Sequence, residues 1–374
     1  MSGHHDKPHG RSAGSRTLDD GTEDKLVPIA SLDPLEIHSF DDMLRAMSNT
    51  AFSGRALGEA CDVLCDMTKD PDCLVVATFS GAMTVGKMGK VIIRMLEAGM
   101  IDCIVSTGAL MAHGLSEAVG LTHFKHDPSV PDEVLFEKGY NRVYDTLELE
   151  VNLNTIEAFV RSVLDTMPTD KPWSSESVTR ALGKALADAS DSPGILRTAF
   201  LRDVPVYVPA FTDSELGLDM ATWMLRKGLA ARDLGDKPDP AVLFDAEPPA
   251  FNPFLDLLSY ARLVNTKKKI GIFTIGGGVP RNWAQQVAPF YDIAAHRLDV
   301  ELPAPRFQYG VRICPEPVHW GGLSGCTYSE GVSWGKFVPA SEGGRFAEVY
   351  ADATAVWPLL VRGALERLGK MPKR

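Results

Sequence analysis

Long hydrophobic runs are missing: the 374-residue chain has no eighteen consecutive apolar residues, which excludes an ordinary membrane-spanning helix. No apolar core follows Met1-Ser2-Gly3-His4-His5-Asp6, so the N-terminus does not read as a secretory signal and a cytoplasmic protein is expected. Basic excess is absent as well. With 38 Lys and Arg against 49 Asp and Glu the net charge is -11, which disfavours a nucleic-acid partner and suits cationic small molecules. Six cysteines, at 61, 65, 73, 103, 314 and 326, are too scattered for a disulfide framework and read as reduced core thiols. Cys61 and Cys65 lie one helical turn apart, but no second pair completes a tetrahedral set. His123-Phe124-Lys125-His126 reads as a loop histidine pair, so no metal site is expected. The G-x-G-x-x-G fingerprint of dinucleotide-binding folds is also lacking.

What is present is an ordinary globular composition, 45% hydrophobic and 23% charged, in a chain long enough to bury a substantial core. Residues 1–25 are almost devoid of apolar side chains and are expected to be a disordered tail, leaving 26–374 as the folded domain. Helical spacing begins at Ser39 and continues through Gly54 to Asp70. Leu74-Val75-Val76-Ala77-Thr78-Phe79 and Ile101-Asp102-Cys103-Ile104-Val105 have the form of buried strands, each ending in small residues, with a helix from Val85 to Ala98 between them. Thr122 to Asn152 reads as irregular, and 228–253, with five prolines, as a surface insertion. Helices are expected over Asn154–Met167, Ser174–Ala189, Phe254–Val264 and Ala355–Leu368. Further strands are expected at Val204–Ala210, Ile270–Ile275, Arg312–Pro315 and Ala347–Asp352. This alternation predicts a single large α/β domain with a doubly wound, Rossmann-like, mostly parallel sheet.

In such sheets ligands bind beyond the carboxyl ends of the strands. The loops there are Ser80-Gly81-Ala82, Thr107-Gly108-Ala109, Thr212-Asp213, Gly276-Gly277-Gly278 and Asp352-Ala353. Freed backbone amides cradle phosphate and acidic strand ends hold ribose hydroxyls, so these loops together suit a dinucleotide. A second feature is Ser329-Glu330-Gly331-Val332-Ser333-Trp334-Gly335-Lys336, where a lysine beside an indole, glycines and a carboxylate has the makings of a covalent-catalysis site.

Thr212-Asp213-Ser214-Glu215-Leu216-Gly217, Ile275-Gly276-Gly277-Gly278-Val279, Glu330-Gly331-Val332-Ser333-Trp334-Gly335-Lys336 and Tyr350-Ala351-Asp352-Ala353, followed by Trp357-Pro358-Leu359-Leu360, resemble deoxyhypusine synthase in the same order over about residues 40–370. The resemblance implies an NAD-dependent transfer of a 4-aminobutyl group through an imine on Lys336. It implies NAD along Ser80, Gly81, Thr84, Thr107, Gly108, Ala109, Asp213, Gly277, Gly278, Asp352 and Ala353. It implies an amine site built from Glu330 and Trp334, and a homotetramer with active sites between paired subunits.

Departures from the family pattern lie around the lysine motif. A lysine and two histidines after the glycines become Pro280-Arg281-Asn282-Trp283, and Asn282 cannot relay a proton as imidazole does. Gly-Ser-Asp becomes Gly321-Gly322-Leu323, the acid after Leu216-Gly217 becomes Leu218 with Asp219 next to it, and a glutamate pair becomes Ala112-His113. Asp219, Asn282, Leu323 and His113 are therefore the positions where substrate recognition differs. This pattern resembles the bacterial deoxyhypusine-synthase-like branch. The expected substrate is a small cationic polyamine or a guanidino compound such as agmatine, whose planar group suits Trp283, Trp320 or Trp334, giving homospermidine or a related symmetric product. Modification of a translation-factor lysine with spermidine is the same-family alternative, and an inactive NAD-binding scaffold the alternative of another class.

Overall fold

The apolar run around Val75 carries β-branched residues on both faces and so requires cover on both sides, which only an interior strand receives. The computed structural model, which describes residue 21 and residues 23–232, 235, 237–245, 247–322 and 326–372, buries all seven residues of that strand. Most of the tail expected at 1–25, and Leu323, lie outside the described residues. In chain order the strands are β1 (Cys73–Phe79), β2 (Cys103–Ser106), β3 (Phe124–Lys125), β4 (Tyr140–Val143), β5 (Thr146–Leu149), β6 (Val206–Tyr207), β7 (Lys269–Ile275), β8 (Phe307–Ile313) and β9 (Arg345–Val349).

Six strands form one parallel sheet in the order β6-β2-β1-β7-β8-β9. Alternation along β1 sends Val75, Ala77 and Phe79 into one core with the helices Phe52–Lys69, Gly89–Glu97 and Ala353–Arg367. Leu74 and Val76 enter the other, with Tyr260 and Ala284 of the helices Pro253–Val264 and Gly278–Gln285. The doubly wound α/β fold is thus present. The chain winds outward from β1 through β2 to β6, then returns to the other side of β1 to lay down β7, β8 and β9. The order reverses between β1 and β7, so the crevice beyond their carboxyl ends is the topological switch point.

At the sheet edge, the strand expected over Val204–Ala210 contracts to Val206–Tyr207, because Pro205 and Pro209 bring no N–H to the ladder. The outward-facing groups there are taken by the helix Ser175–Ala189: Val208 N–H donates to Ser175 Oγ and Thr179 Oγ1 donates to the Val206 carbonyl, each at 2.8 Å. The buried Asp256 in turn accepts from Ser175 Oγ at 2.7 Å.

Several expectations are corrected. The stretch Thr122–Asn152 is not irregular; it holds a helix, Asp132–Glu137, and a small antiparallel sheet in the order β3-β5-β4. Every residue of β4 faces solvent, so its sequence lacks the apolar alternation that marks a half-buried strand. The insertion at 228–253 begins inside a helix, Glu215–Arg232, and its far end is pinned where Trp173 exchanges backbone bonds with Ala250 and Asn252 at 2.6 and 2.7 Å. The helix expected from Val85 starts at Gly89, since Lys87 takes a φ of 63°. The last two strands sit earlier, at Phe307–Ile313 and Arg345–Val349. All six cysteines are free thiols, and no helix of the described residues is long and apolar enough to cross a membrane.

Tyr328, 2% exposed, lies on β8 where Gly310 leaves room for it; a Cβ there would meet the ring at 2.7 Å. Its ring packs against Phe337 and Phe346 with centroids 5.0 Å away in both cases. Gly310→Ala is therefore expected to destabilise the protein by about 1–3 kcal/mol, through overpacking that no flexible side-chain end can relieve. Urea unfolding measures this, and an unchanged midpoint would contradict the packing.

Candidate functional site

Beyond β1 and β7 the chain turns through small residues. Ser80 Oγ accepts from the Gly277 N–H at 3.1 Å and donates to the Gly277 carbonyl, locking the two loops together. Gly278 has a φ of 58°, and a Cβ on it would meet nothing within 4 Å. It opens the helix Gly278–Gln285, whose N-terminus no side chain caps. Free amides beside open space at the switch point are what an anionic phosphate requires. Thr107 Oγ1 donates to the Gly81 carbonyl at 2.8 Å and caps the helix Gly108–Ala118. Gly108 touches Ser214 so closely that a side chain there would collide, which joins the Asp213 loop to the crevice. Ala109 lies in the first turn of that helix and Asp213 is exposed. Thr84, fully buried, spends its hydroxyl on the Leu110 carbonyl at 2.8 Å. Asp352 caps the helix Ala353–Arg367 through Thr354 and Ala355 N–H groups at 2.8 and 3.3 Å.

Lys336 lies elsewhere in the chain's architecture. Its carbonyl accepts from Phe307 N–H at 2.9 Å, which ties it to the beginning of β8 rather than to the strand ends. Thr327 caps the short helix Tyr328–Ser333, and Lys336 N–H closes back on the Gly331 carbonyl at 3.1 Å. The lysine is 7% exposed, with Nζ 5.9 Å from the centre of the Trp334 ring, and Trp334 itself is 65% exposed. Burial and the positive charge of Arg281 disfavour its ammonium form, against the opposing pull of Cys326 and Glu330, and its pKa lies below the ordinary lysine value. The structure thus brings together Lys336, Trp334 and Glu330, with Asn282 exposed beside Arg281. It does not place the lysine among the crevice contacts of Ser80, Thr107 and Gly277.

His113 and Asp219 belong to a third place. A cavity of about 280 Å³ is lined by Ala112, Glu150, Glu157, Glu215, Asp219 and Arg226, among others. Burial, with Glu157 and Glu215 nearby, pushes the Asp219 carboxyl up to about 7. His113 stands behind Glu215, 3.6 Å from it, and bonds on its other nitrogen to Glu148. Glu148, 1% exposed, also accepts from Ser116 Oγ at 2.6 Å and faces His123 Nε2 at 3.4 Å. Burial opposes ionisation of Glu148, but the hydrogen bonds from His113 and Ser116, with the His123 ring close by, outweigh it and hold the carboxyl well below its usual range. Burial likewise opposes the His113 imidazolium, yet Glu148 and Glu215 raise its pKa.

His123 is therefore not half of a loop histidine pair but part of a buried cluster with His113 and Glu148, whose ligand atoms lie within 4.8 Å of one another. His113 Nδ1 is bonded to Glu148, His123 Nε2 approaches that carboxylate at 3.4 Å without a hydrogen bond, and Lys87 Nζ lies 2.8 Å from His123 Nδ1. Sequence reasoning missed Glu148 because it neighbours Leu147 and both are buried, which hides the alternation. Glu148→Ala is expected to cost about 3–5 kcal/mol at pH 7, because two imidazoles lose their carboxylate. The depressed pKa means that this contribution is present above the ordinary glutamate range and lost as pH falls below it, which denaturant unfolding at pH 7 and in acid would show.

Comparison with known proteins matches residues 42–364 to the deoxyhypusine synthase family model. "Probable deoxyhypusine synthase 2" of Methanosarcina acetivorans is 30% identical over 349 residues, covering 92% of this chain and 91% of that protein. "Deoxyhypusine synthase-like protein" of Elusimicrobium minutum is 30% identical over 351 residues, covering 92% and 86%. Among solved structures, an Entamoeba histolytica protein named for deoxyhypusine synthase shares the fold with a TM-score of 0.54 at 14% identity, covering 90% of this chain and 96% of that one. With the family pattern spanning nearly the whole parallel sheet and reaching through the Lys336 motif, the chain belongs to the deoxyhypusine synthase family.

Proposed function

We propose that the protein is a cytoplasmic, NAD-dependent alkylamine transferase of polyamine metabolism, with Lys336 as nucleophile and a small amine or guanidine as both donor and acceptor. The observation that carries this reading is a lysine buried beside an exposed indole, its ammonium form disfavoured by burial and by Arg281. Ser80, Gly81, Thr107, Gly277 and Gly278 suit the cofactor phosphates, with Asp213 on the crevice rim. Held there, NAD would supply a reversible hydride acceptor for the carbon beside the donor nitrogen, so that no net oxidation would remain. Lys336 Nζ attacks the imine carbon so formed, and the other amine fragment leaves with a proton. The acceptor amine then displaces Lys336. With 4-aminobutyl transfer to putrescine the product is homospermidine; a 4-guanidinobutyl group from agmatine gives the related symmetric product.

Incubation with NAD and putrescine, spermidine or agmatine, followed by borohydride, is expected to add the alkyl group to Lys336, and Lys336→Ala to abolish the adduct. No adduct with any of the three would overturn the reading. The names of the relatives favour a second acceptor, a translation-factor lysine with spermidine as donor. Transfer of labelled spermidine carbon to such a protein, but not to a free diamine, would select it. A NAD-binding scaffold without activity would leave Lys336→Ala indistinguishable from the parent in every assay except stability.

The cavity around Asp219 supports a cationic substrate, since a bound amine favours the ionised carboxylate and displaces its proton. As pH rises from 6 to 8, Asp219 ionises and the KM for the amine is expected to fall. In Asp219→Asn this trend is lost and KM at pH 8 rises roughly tenfold or more, the usual consequence of removing a charged hydrogen-bond partner. Steady-state kinetics across this range checks it. A homotetramer with sites shared between subunits fits the exposure of Trp334 and Leu218, each 65%. Light scattering on the purified protein measures the assembly.

A further inference from the structure

Three ionisable side chains from separate elements converge in the interior, away from the crevice and from Lys336. His113 comes from the helix Gly108–Ala118, His123 from the position before β3, and Glu148 from β5. Their side chains are 10%, 0% and 2% exposed. The imidazoles stand edge to face with ring centres 6.3 Å apart, and His113 Nδ1 and His123 Nε2 both face the one carboxylate. Hydrogen bonding explains only part of this. Glu148 is bonded to His113 Nδ1 and accepts from Ser116 Oγ at 2.6 Å, but His123 Nε2, 3.4 Å from Glu148 Oε1, is buried without a hydrogen-bond partner among the described residues. That spacing is long for a hydrogen bond. It is the spacing of two ligands held by one ion, since atoms about 2.0–2.1 Å from a tetrahedral centre stand roughly 3.3–3.4 Å apart.

We propose that His113 Nδ1, His123 Nε2 and the Glu148 carboxylate bind a first-row divalent transition-metal ion, best matched by Zn²⁺. Two imidazoles and one carboxylate suit zinc, whereas Mg²⁺ and Ca²⁺ take oxygen ligands and a soft ion would call for a thiolate. Water completes the set as the fourth ligand. Ligands of this kind are oriented by the groups behind them, and two such groups are in place. Ser116 Oγ donates to the carboxylate, and Glu215 faces the other nitrogen of His113 at 3.6 Å. Behind His123 the arrangement is different, because Nδ1 meets Lys87 Nζ at 2.8 Å. An ammonium donating there leaves the imidazole proton on Nε2, on the side of Glu148. Metal binding therefore moves that proton from Nε2 to Nδ1 and turns Lys87, whose side chain is 41% exposed, towards Glu117, which it already meets at 2.9 Å. Any proton on His113 Nδ1 leaves to solvent. Lys87 is thus a latch on the metal-free form. The bound ion staples the small sheet to the helix Gly108–Ala118 and, through His113, backs Glu215 in the wall of the Asp219 cavity.

The test uses the full-length protein, stripped with a chelator and titrated with Co²⁺ and Zn²⁺. One equivalent of Co²⁺ is expected to give the visible absorption of a tetrahedral ion, Zn²⁺ to displace it, and Zn²⁺ to raise the thermal unfolding midpoint. His123→Ala is expected to weaken Zn²⁺ binding roughly a hundredfold or more. Metal held instead by His4, His5 and His9 near the N-terminus would survive that substitution and overturn the proposal. Lys87→Gln leaves all three ligands intact and replaces the opposing donor by a carbonyl that accepts from Nδ1–H. It is expected to tighten Zn²⁺ binding roughly tenfold, a gain that a purely hydrogen-bonded cluster does not predict. Should His123→Ala not fold, Lys87→Gln decides the matter. Unchanged or weaker binding in Lys87→Gln, or no stoichiometric metal uptake by the parent, would reject the site.

Discussion

The pairing of β1 with β7 is the constraint on which the rest depends. Seven residues of each lie in parallel register, and a buried hydroxyl pair, Thr78 with Thr274 at 2.8 Å, lies one residue short of the carboxyl end of a contact between positions 196 residues apart. Because the order reverses at this pair, its carboxyl end leaves a crevice rather than a filled turn. The Ser80 and Gly277 loops close on each other there, and the helix that begins at Gly278 carries Arg281 one turn in. The same contact thus sets both the crevice and the place of the buried Arg281. Such a long-range pairing forms only after the intervening chain has been gathered, so the crevice is a late and cooperative feature.

The acidic and basic features occupy separate places. A net charge of -11 and the carboxylates around Asp219 favour cations, while the buried Arg281 keeps two guanidinium nitrogens without a hydrogen-bond partner among the described residues. On the function proposed above, a lysine nucleophile would be hindered by a tight carboxylate partner, which holds its proton, whereas a cationic substrate would be held by one.

Much of this was legible in the sequence, and what was not has physical reasons. The interior strands at Leu74–Phe79 and Ile270–Ile275 declare themselves because burial on both faces demands unbroken apolar runs. The edge strand at Val206 was overextended because the apolar signal does not register that Pro205 and Pro209 lack donors. β4 was missed because an exposed strand has no hydrophobic period to detect. The Lys336 motif was visible as a motif, but Arg281 stood in the sequence only as part of a departure, since burial of a guanidinium with two of its nitrogens unpartnered is a property of packing. The Glu148 cluster needed three dimensions altogether: His113, His123 and Glu148 come from a helix, a loop and a strand.

The closing of the β6 edge has one more consequence. An outer strand usually offers a ladder of free donors and acceptors on which another chain can build, the first step of amyloid-like growth. Here the ladder is taken by hydroxyls, Ser175 for the Val208 N–H and Thr179 for the Val206 carbonyl, with Asp256 holding Ser175 in place. Two small side chains on a helix thereby do the work of a seventh strand. They end the sheet chemically and deny stray polypeptide a template on that side, even while the protein is crowded with its own copies.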